Sequence, residues 1–77
     1  MEQLPKRFKI EANVDHLPEE LEVQKEQGPQ GPQFVCYLDG RHITTLRQDD
    51  YGSWEQVTGD LDPVSVHSVS QAIEETD

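Results

Sequence analysis

Apolar residues occupy every second position from Phe8 to Val14, and a charged or amide side chain stands between each pair. A repeat of two with polar partners is typical of a strand that buries one face and exposes the other. The pattern therefore predicts a first strand over residues 7–14.

The segment that follows the first strand allows two interpretations. Leu21 and Val23 continue the alternation and favour a second strand over residues 21–27. The same segment is rich in Glu, Gln and Lys, which are good helix formers, and Pro18 and Gly28 could open and close a helix. We favour the strand, because a helix here would present only two leucines as an apolar stripe.

A hairpin is indicated in the middle of the chain, where Asp39-Gly40 separates two β-rich runs. Asp-Gly in this setting is typical of a two-residue type I′ turn. We therefore predict strands over residues 33–38 and 41–48. The two-residue turn fixes the register, with these expected pairs: Leu38 with Arg41, Tyr37 with His42, Cys36 with Ile43 and Val35 with Thr44.

The last strand and the helix follow an acidic turn that Gly52 closes. Residues 53–57 are predicted to form a short strand, with Arg47 opposite Trp54 across a four-residue turn. Asp62 is a good N-cap and a proline follows it, so a helix is predicted over residues 63–75.

One side of this helix is apolar. Val66, Val69 and Ile73 recur at helical spacing, while Ser65, Ser68 and Gln71 are expected on the other side. Such a narrow stripe requires a sheet to pack against. The predicted fold class is thus α+β, an antiparallel meander of four to five strands with one C-terminal helix packed on one face, in a single small domain over residues 1–77.

The charge balance narrows the function. The 77 residues include 6 Lys+Arg and 16 Asp+Glu, for a formal net charge of −10. Binding of nucleic acid through its phosphates needs a basic surface, so we expect no nucleic-acid partner. Two explanations fit the acidity: a need for solubility, or a host with a salty cytoplasm, where dissolved ions screen the repulsion.

The expected location is the cytoplasm. The chain has one cysteine, which cannot form an internal disulfide. No apolar run approaches the roughly 20 residues that cross a membrane, so no membrane partner is expected. The first ten residues lack the apolar stretch of a signal peptide.

Candidate chemistry is sparse, and we predict no enzyme, no catalytic residue, no cofactor and no metal site. Cys36 lies in the middle of a strand and is expected to be a buried structural residue. The three histidines are far apart in the sequence, unlike the paired ligands of a structural zinc site. The acidic turn at residues 49–52 does not follow the spacing of a calcium-binding EF-hand loop.

The face of the sheet opposite the helix is the main candidate surface. The expected register places an apolar set there that is unusual for a solvated face and is typical of a partner or self-association surface. Two alternatives remain: residues 1–27 fold over this set, or a β-bulge exchanges the two faces. The candidate interaction surface consists of Val35, Tyr37, His42, Thr44 and Leu46.

Three functions remain open. The first is a small non-catalytic interaction protein that binds a protein partner or forms a homodimer. The second is a small-ligand or cation-binding module around Trp54 and the Asp49/Asp50 turn. The third is a nucleic-acid mimic that binds a basic protein. The candidate ligand surface of the second function consists of Arg47, Asp49, Asp50 and Trp54, although Trp54 is more typical of the core.

Overall fold

The computed structural model describes residues 6–76, which form a five-stranded antiparallel sheet and one helix. The strands lie in the sheet in the order in which they occur in the chain. The predicted α+β meander with a C-terminal helix is confirmed. The elements are β1 Lys6–Val14, β2 Leu17–Gly28, β3 Gly31–Leu38, β4 Arg41–Gln48, β5 Trp54–Gly59 and α1 Pro63–Thr76.

The ambiguous segment is a strand, as predicted, and it is longer than expected. β2 begins at Leu17, because a two-residue turn joins it directly to β1 and pairs Val14 with Leu17. Both turn residues, Asp15 and His16, have positive φ angles of 53° and 67°. This is the conformation of a type I′ turn without any glycine, and it strains both residues.

A β-bulge at Ile43 makes the register of the central hairpin differ from the predicted one. Tyr37 lies opposite His42 as expected, but Cys36 then lies opposite Thr44, so the predicted Cys36–Ile43 pair is wrong. The same shift places Val35 opposite Thr45 and not opposite Thr44. Because Ile43 is an extra residue, every later side chain of β4 points to the other face.

The bulge moves two candidate surface residues into the core. Thr44 and Leu46 lie on the helix-covered face, and both are fully buried. They therefore cannot belong to the predicted interaction surface. Of the two alternatives to an interface, the exchange of faces by a β-bulge is the one that the structure contains.

A turn one residue longer than predicted separates Arg47 from Trp54. The turn between β4 and β5 has five residues, so Gln48 lies opposite Trp54 and Arg47 lies opposite Glu55. The predicted Arg47–Trp54 pair is wrong for this reason, and the two side chains project from opposite faces of the sheet.

Helix α1 begins where the sequence predicts, and the Asp62 carboxylate accepts hydrogen bonds from the backbone N–H groups of Val64 and Ser65.

The prediction that Ser65 and Ser68 lie on the side of α1 away from its apolar stripe is wrong. Ser65 is buried, and the two serine hydroxyls accept hydrogen bonds from the backbone N–H groups of Asp15 and Asn13 on β1. The apolar stripe of the helix is therefore bordered by polar contacts to the edge of the sheet.

The core lies between the sheet and α1, with Val69 and Ile73 as its buried helical residues. Each strand from β1 to β4 contributes buried side chains, and Trp54 of β5 packs against them. Within residues 6–76, no helix combines the length and the apolar character needed to span a membrane. The buried apolar set is Ile10, Ala12, Val14, Leu21, Val23, Phe34, Cys36, Leu46, Val69 and Ile73.

Candidate functional site

The face of the sheet that α1 leaves uncovered is called the open face below. Its side chains follow from the register and from the alternation along each strand. Most of them are charged or amide groups. The open face includes Arg7, Lys9, Glu11, Glu20, Glu22, Gln24, Glu26, Gln33, Val35, Tyr37, His42, Thr45, Arg47, Glu55, Val57 and Thr58.

Three of the five predicted interaction residues lie together on the open face. Val35, Tyr37 and His42 are neighbours on β3 and β4. Val35 is only 8% exposed, because it lies between Gln24 on β2 and Thr45 on β4. The apolar patch expected from the sequence is therefore reduced to Tyr37 and Val57 as accessible side chains.

Tyr37 and His42 form an aromatic pair. Their ring centroids are 6.1 Å apart and the rings meet edge to face. His42 is held in turn by Thr45, whose Oγ1 lies 2.9 Å from the imidazole Nε2. The pair therefore presents a fixed aromatic wall at the end of β3, where the hairpin turns.

A groove of about 470 Å³ lies beside Tyr37 on the open face. It forms because β2 continues toward Leu17 beyond the point where β3 turns at Asp39-Gly40, so the surface of β1 and β2 is left as a floor. The side chains that line the groove carry both signs of charge. They are Arg7, Lys9, Glu20, Glu22, Tyr37 and Asp39.

Ion pairing fixes one side of this groove. The Arg7 guanidinium lies 3.1 Å from Glu22 Oε1, and its Nε donates to Gln24 Oε1 at 3.1 Å. The side chains of Arg7 and Glu22 are 61% and 42% exposed, so solvent screens this pair and it contributes little to stability. Its effect is to hold Arg7 flat across β2 and to neutralise one of the three groove carboxylates.

The sequence prediction missed the basic half of the groove. Arg7 and Lys9 occupy the polar positions of β1, and these share a face with Tyr37 only because β1 pairs with β2 in the observed register. The alternation of β1 already placed them on one face. The sequence could not show that this face continues to Tyr37, because the segment between β1 and β3 was uncertain between strand and helix.

The candidate ligand residues do not form one site. Arg47 is on the open face and pairs with Glu55 at 3.1 Å. Trp54 lies on the other face, 5.4 Å from Phe34 between ring centroids, and donates its indole N–H to Glu74 of α1 at 2.6 Å. Trp54 thus joins the end of the helix to the core.

The acidic turn uses its first carboxylate for its own backbone. Asp49 Oδ1 accepts hydrogen bonds from the N–H groups of Tyr51 and Ser53, both at 2.9 Å. This is the usual role of an aspartate in a turn. Across residues 6–76, no three His, Cys, Asp or Glu side chains come together as metal ligands would.

Cys36 is fully buried at the centre of the sheet. Burial raises the pKa of its thiol to about 12, because a thiolate would lose its hydration. At neutral pH the side chain is therefore a protonated, apolar group. The expectation of a structural cysteine agrees with this environment.

The carboxylates of β2 do not form an uninterrupted acidic row. Glu20, Glu22 and Glu26 share the open face, but Gln24 separates two of them and Arg7 neutralises Glu22. Like charges meet where Glu20 lies opposite Glu11. The open face is thus a mixed surface with an acidic excess.

Comparisons of this chain with models of protein families, with curated proteins and with solved structures find no match.

Proposed function

We propose that this chain is a small non-catalytic interaction module that binds a protein partner through its open face. The observation that carries the proposal is the groove of about 470 Å³ beside Tyr37. Tyrosine is common in interfaces because its ring buries a large apolar area while its hydroxyl bonds a polar group. A half-buried tyrosine at a groove wall is suited to anchor such a contact.

The chemistry of the groove favours a partner segment with a basic side chain. Glu20 and Asp39 leave carboxylates at the groove that the described residues do not bind, whereas Glu22 is engaged by Arg7. The net charge of −10 would also accelerate encounter with a basic protein.

We propose no catalytic activity because the candidate nucleophiles, the Cys36 thiol and the hydroxyl groups beside His42, are not both accessible and activated. The Cys36 thiol has a pKa of about 12 and is buried. Thr45 Oγ1 lies 2.9 Å from His42 Nε2, but Thr45 is only 6% exposed. The exposed Thr58 hydroxyl lies 3.4 Å from the same nitrogen, which already contacts Thr45 more closely. We therefore assign no accessible, activated nucleophile to this chain.

The proposed location is the cytoplasm. A single thiol that stays protonated inside the core needs no oxidising compartment, and it agrees with a reducing one. The acid surplus supports either solubility or adaptation to salt in that compartment.

The test compares proteins captured from an extract of the source organism by three baits. These are the wild-type chain, Tyr37→Glu and Tyr51→Glu. Tyr51 is 94% exposed at the tip of the β4–β5 turn, so its substitution makes the same chemical change away from the groove. Each bait is first shown to be folded by circular dichroism.

The expected result is a set of proteins that wild type and Tyr51→Glu retain and Tyr37→Glu loses. Because both variants add one negative charge, attraction by net charge alone predicts equal or stronger capture by both. The same protein set on all three baits would refute the open face as the binding surface.

A further inference from the structure

A smaller depression lies on the open face, at the end of β3 away from the groove. It has a volume of about 200 Å³ and lies between the β2–β3 turn, at Pro29, and Val57 of β5. Val57 is 44% exposed, which makes it an accessible aliphatic side chain on a mostly polar face. An apolar cavity of about 150 Å³ holds a benzene molecule, so this depression is large enough for one aliphatic side chain.

The charged groups at this depression bind each other. Arg47 lies 3.1 Å from Glu55, which is its partner across β4 and β5. Neither ion is therefore left to attract an opposite charge. An aliphatic side chain that covers Val57 and Pro29 is the favoured occupant, because it removes apolar surface from water.

Strand β3 connects the depression to the groove. Tyr37 forms a wall of the groove, and Gln33, four residues earlier on β3, borders the depression. Four residues of a strand span about 13 Å. The surface between the two is low, since Val35 and its neighbour Thr45 are both buried. A single partner segment can therefore reach both places.

An extended segment matches this spacing. Its side chains alternate between two sides, so residues four apart face the same way and are about 13 Å apart. The groove lies on the β2 side of Tyr37, and the depression lies on the β4 side of Gln33. The segment therefore crosses β3 obliquely, as the strands of two packed sheets do.

The groove end of the open face favours arginine. Glu20 and Asp39 both line the groove, and none of the described residues binds either carboxylate. Arginine forms forked hydrogen bonds with carboxylates and stacks on aromatic rings, whereas lysine acts as a point charge. Tyr37 supplies the ring beside these carboxylates.

We infer that the partner contributes an extended segment that crosses β3, with an arginine in the groove at Tyr37 and an aliphatic side chain, four residues away, in the depression at Val57. This segment is the ligand of the proposed function, on which the assignment rests. Each contact is weak alone, and joining them in one segment makes the second contact intramolecular. Dissociation constants of about 1 mM are expected for a short peptide.

Capped synthetic peptides are the probes. The first is Arg-Ser-Thr-Ser-Leu and the second has the reversed sequence, so both chain directions are represented. Each is titrated to about 10 mM while amide NMR spectra of the protein are recorded. We expect one of the two peptides to shift the amide signals of both Tyr37 and Val57. No shift with either peptide, or shifts at only one of the two residues, would overturn the inference.

Two changes in the peptide that binds test its aliphatic end and its spacing. Replacing leucine with alanine should weaken binding about fivefold, because less apolar area is buried. Moving leucine one position closer to arginine turns it away from the sheet, so this peptide should bind no better than the alanine peptide. Equal binding of all three peptides would refute the second contact.

Val57→Thr tests the depression from the side of the protein. Threonine keeps the β-branched shape and replaces one methyl with a hydroxyl, so binding of the leucine peptide should weaken about threefold, while binding of the alanine peptide should not change. Val64→Thr makes the same change at an exposed position of α1 and is the matched control. Equal affinities of the two variants for the leucine peptide would contradict the role of Val57.

Glu20→Gln tests the groove end. It removes one carboxylate that the arginine meets, so binding of both peptides should weaken about threefold. Glu75→Gln removes the same charge at an exposed position of α1 and should leave the affinity nearly unchanged. Equal weakening in both variants would assign the effect to net charge and overturn the arginine contact.

Protein capture and peptide binding separate this segment from the proposed function. If Tyr37→Glu loses captured proteins while leucine and Val57 have no effect on peptide affinity, the open face still binds a partner and the two-ended segment is refuted. If all three baits capture the same proteins, the proposed function is refuted whatever the peptides show.

Discussion

The side-chain amide of Gln56 binds both polar groups of the Leu61 backbone. Its Oε1 accepts from the Leu61 N–H at 3.0 Å, and its Nε2 donates to the Leu61 carbonyl at 3.2 Å. The buried hydroxyl of Thr44 donates to the same Oε1 at 2.8 Å. Gln56 thus offers Leu61 the donor and acceptor pair that a backbone residue of a neighbouring strand would offer, and it holds the segment before α1 against the sheet.

Replacing Gln56 with glutamate should destabilise the fold at neutral pH. The introduced carboxylate can still accept from Leu61 and Thr44, but it cannot donate to the Leu61 carbonyl and lies against it. The expected loss is about 1–3 kcal/mol in the free energy of unfolding. The measurement is urea unfolding at pH 7.

The pH dependence of Gln56→Glu identifies the cause. A carboxyl group beside a carbonyl has a raised pKa, and its protonated form donates as the amide does, so the loss should shrink as the pH falls toward about 4. Gln30→Glu, in the exposed β2–β3 turn, is the control for added charge. A loss that does not depend on pH would contradict the role of the donor.

Gly59 should tolerate alanine far less than Gly31 does. Both residues have positive φ angles, 108° and 117°, so alanine strains both backbones. A Cβ at Gly59 would also lie 2.6 Å from the carbonyl oxygen of Ile43, whereas one at Gly31 meets nothing within 4 Å. Strain alone costs about 1–3 kcal/mol, and the clash adds about 1–3 kcal/mol at Gly59.

Thermal and urea unfolding of Gly59→Ala and Gly31→Ala measure the difference. Since the backbone angles nearly match, the second variant controls for strain and the difference isolates the approach of β5 to the bulge at Ile43. Equal losses would show that β5 can shift away from β4 without cost.

Ser65→Ala should remove a link between the first turn and the helix. Ser65 Oγ accepts from the Asp15 N–H at 3.0 Å and donates to Asp62 Oδ1 at 2.6 Å. Losing the acceptor leaves a part-buried N–H unpaired, at a cost of about 1–3 kcal/mol. Ser70→Ala is the control, because Ser70 is equally buried but donates to His67 within the helix. Similar small losses in both variants, measured by urea unfolding, would argue against the link.

The N-cap should make stability fall in acid. The hydrogen bond from the Ser65 hydroxyl, helped by the backbone N–H groups of Ser65 and Val64, lowers the pKa of Asp62 despite some opposing burial. A carboxyl whose pKa is lower in the folded chain stabilises the fold above its unfolded pKa of about 4. That contribution is lost as the pH falls through the folded value.

Unfolding of wild type and Asp62→Asn between about pH 2 and 7 tests this sign. Asparagine still caps the helix but does not titrate there, so the advantage of wild type should disappear in acid. Asp60→Asn, an exposed neighbour outside the cap, controls for the loss of one charge. An advantage that persists at the lowest pH would contradict the prediction.

The first turn offers a stabilising substitution. His16 has a φ angle of 67° and is exposed, so glycine removes the strain of a left-handed side chain without removing a buried contact. We expect His16→Gly to gain about 0.5–1 kcal/mol after the entropy cost of glycine. His16→Ala keeps the Cβ and should gain nothing, which separates backbone strain from any effect of the imidazole. Thermal unfolding compares the three proteins.

Local signals predicted the elements well. Asp39-Gly40 defined its turn, since the backbone there takes the positive φ angles that this pair favours. Asp62 defined the start of α1 because its carboxylate can reach the first free N–H groups. Both signals depend only on residues within one turn of each other.

The bulge at Ile43 had no such local signal. No glycine or proline marks it, and its stabilising contacts come from β5, where Gly59 and Gln56 approach Thr44. One hint was available: Ile43 and Leu46 are both apolar but three positions apart, which a regular strand cannot place on one face. The part of the open face on β4 and β5 depends on this register, and the groove depends on β2 being a strand, so the candidate surface was only partly predictable.

The serine contacts between α1 and β1 also determine when this chain can finish folding. Each strand pairs with its neighbour in sequence, so the hairpins can form one after another as synthesis proceeds. The bond between Asn13 and Ser68, however, closes a loop of 55 residues. On the ribosome, the apolar face of the growing sheet therefore stays uncovered until α1 emerges, and the nascent chain is exposed to aggregation and to chaperones until then.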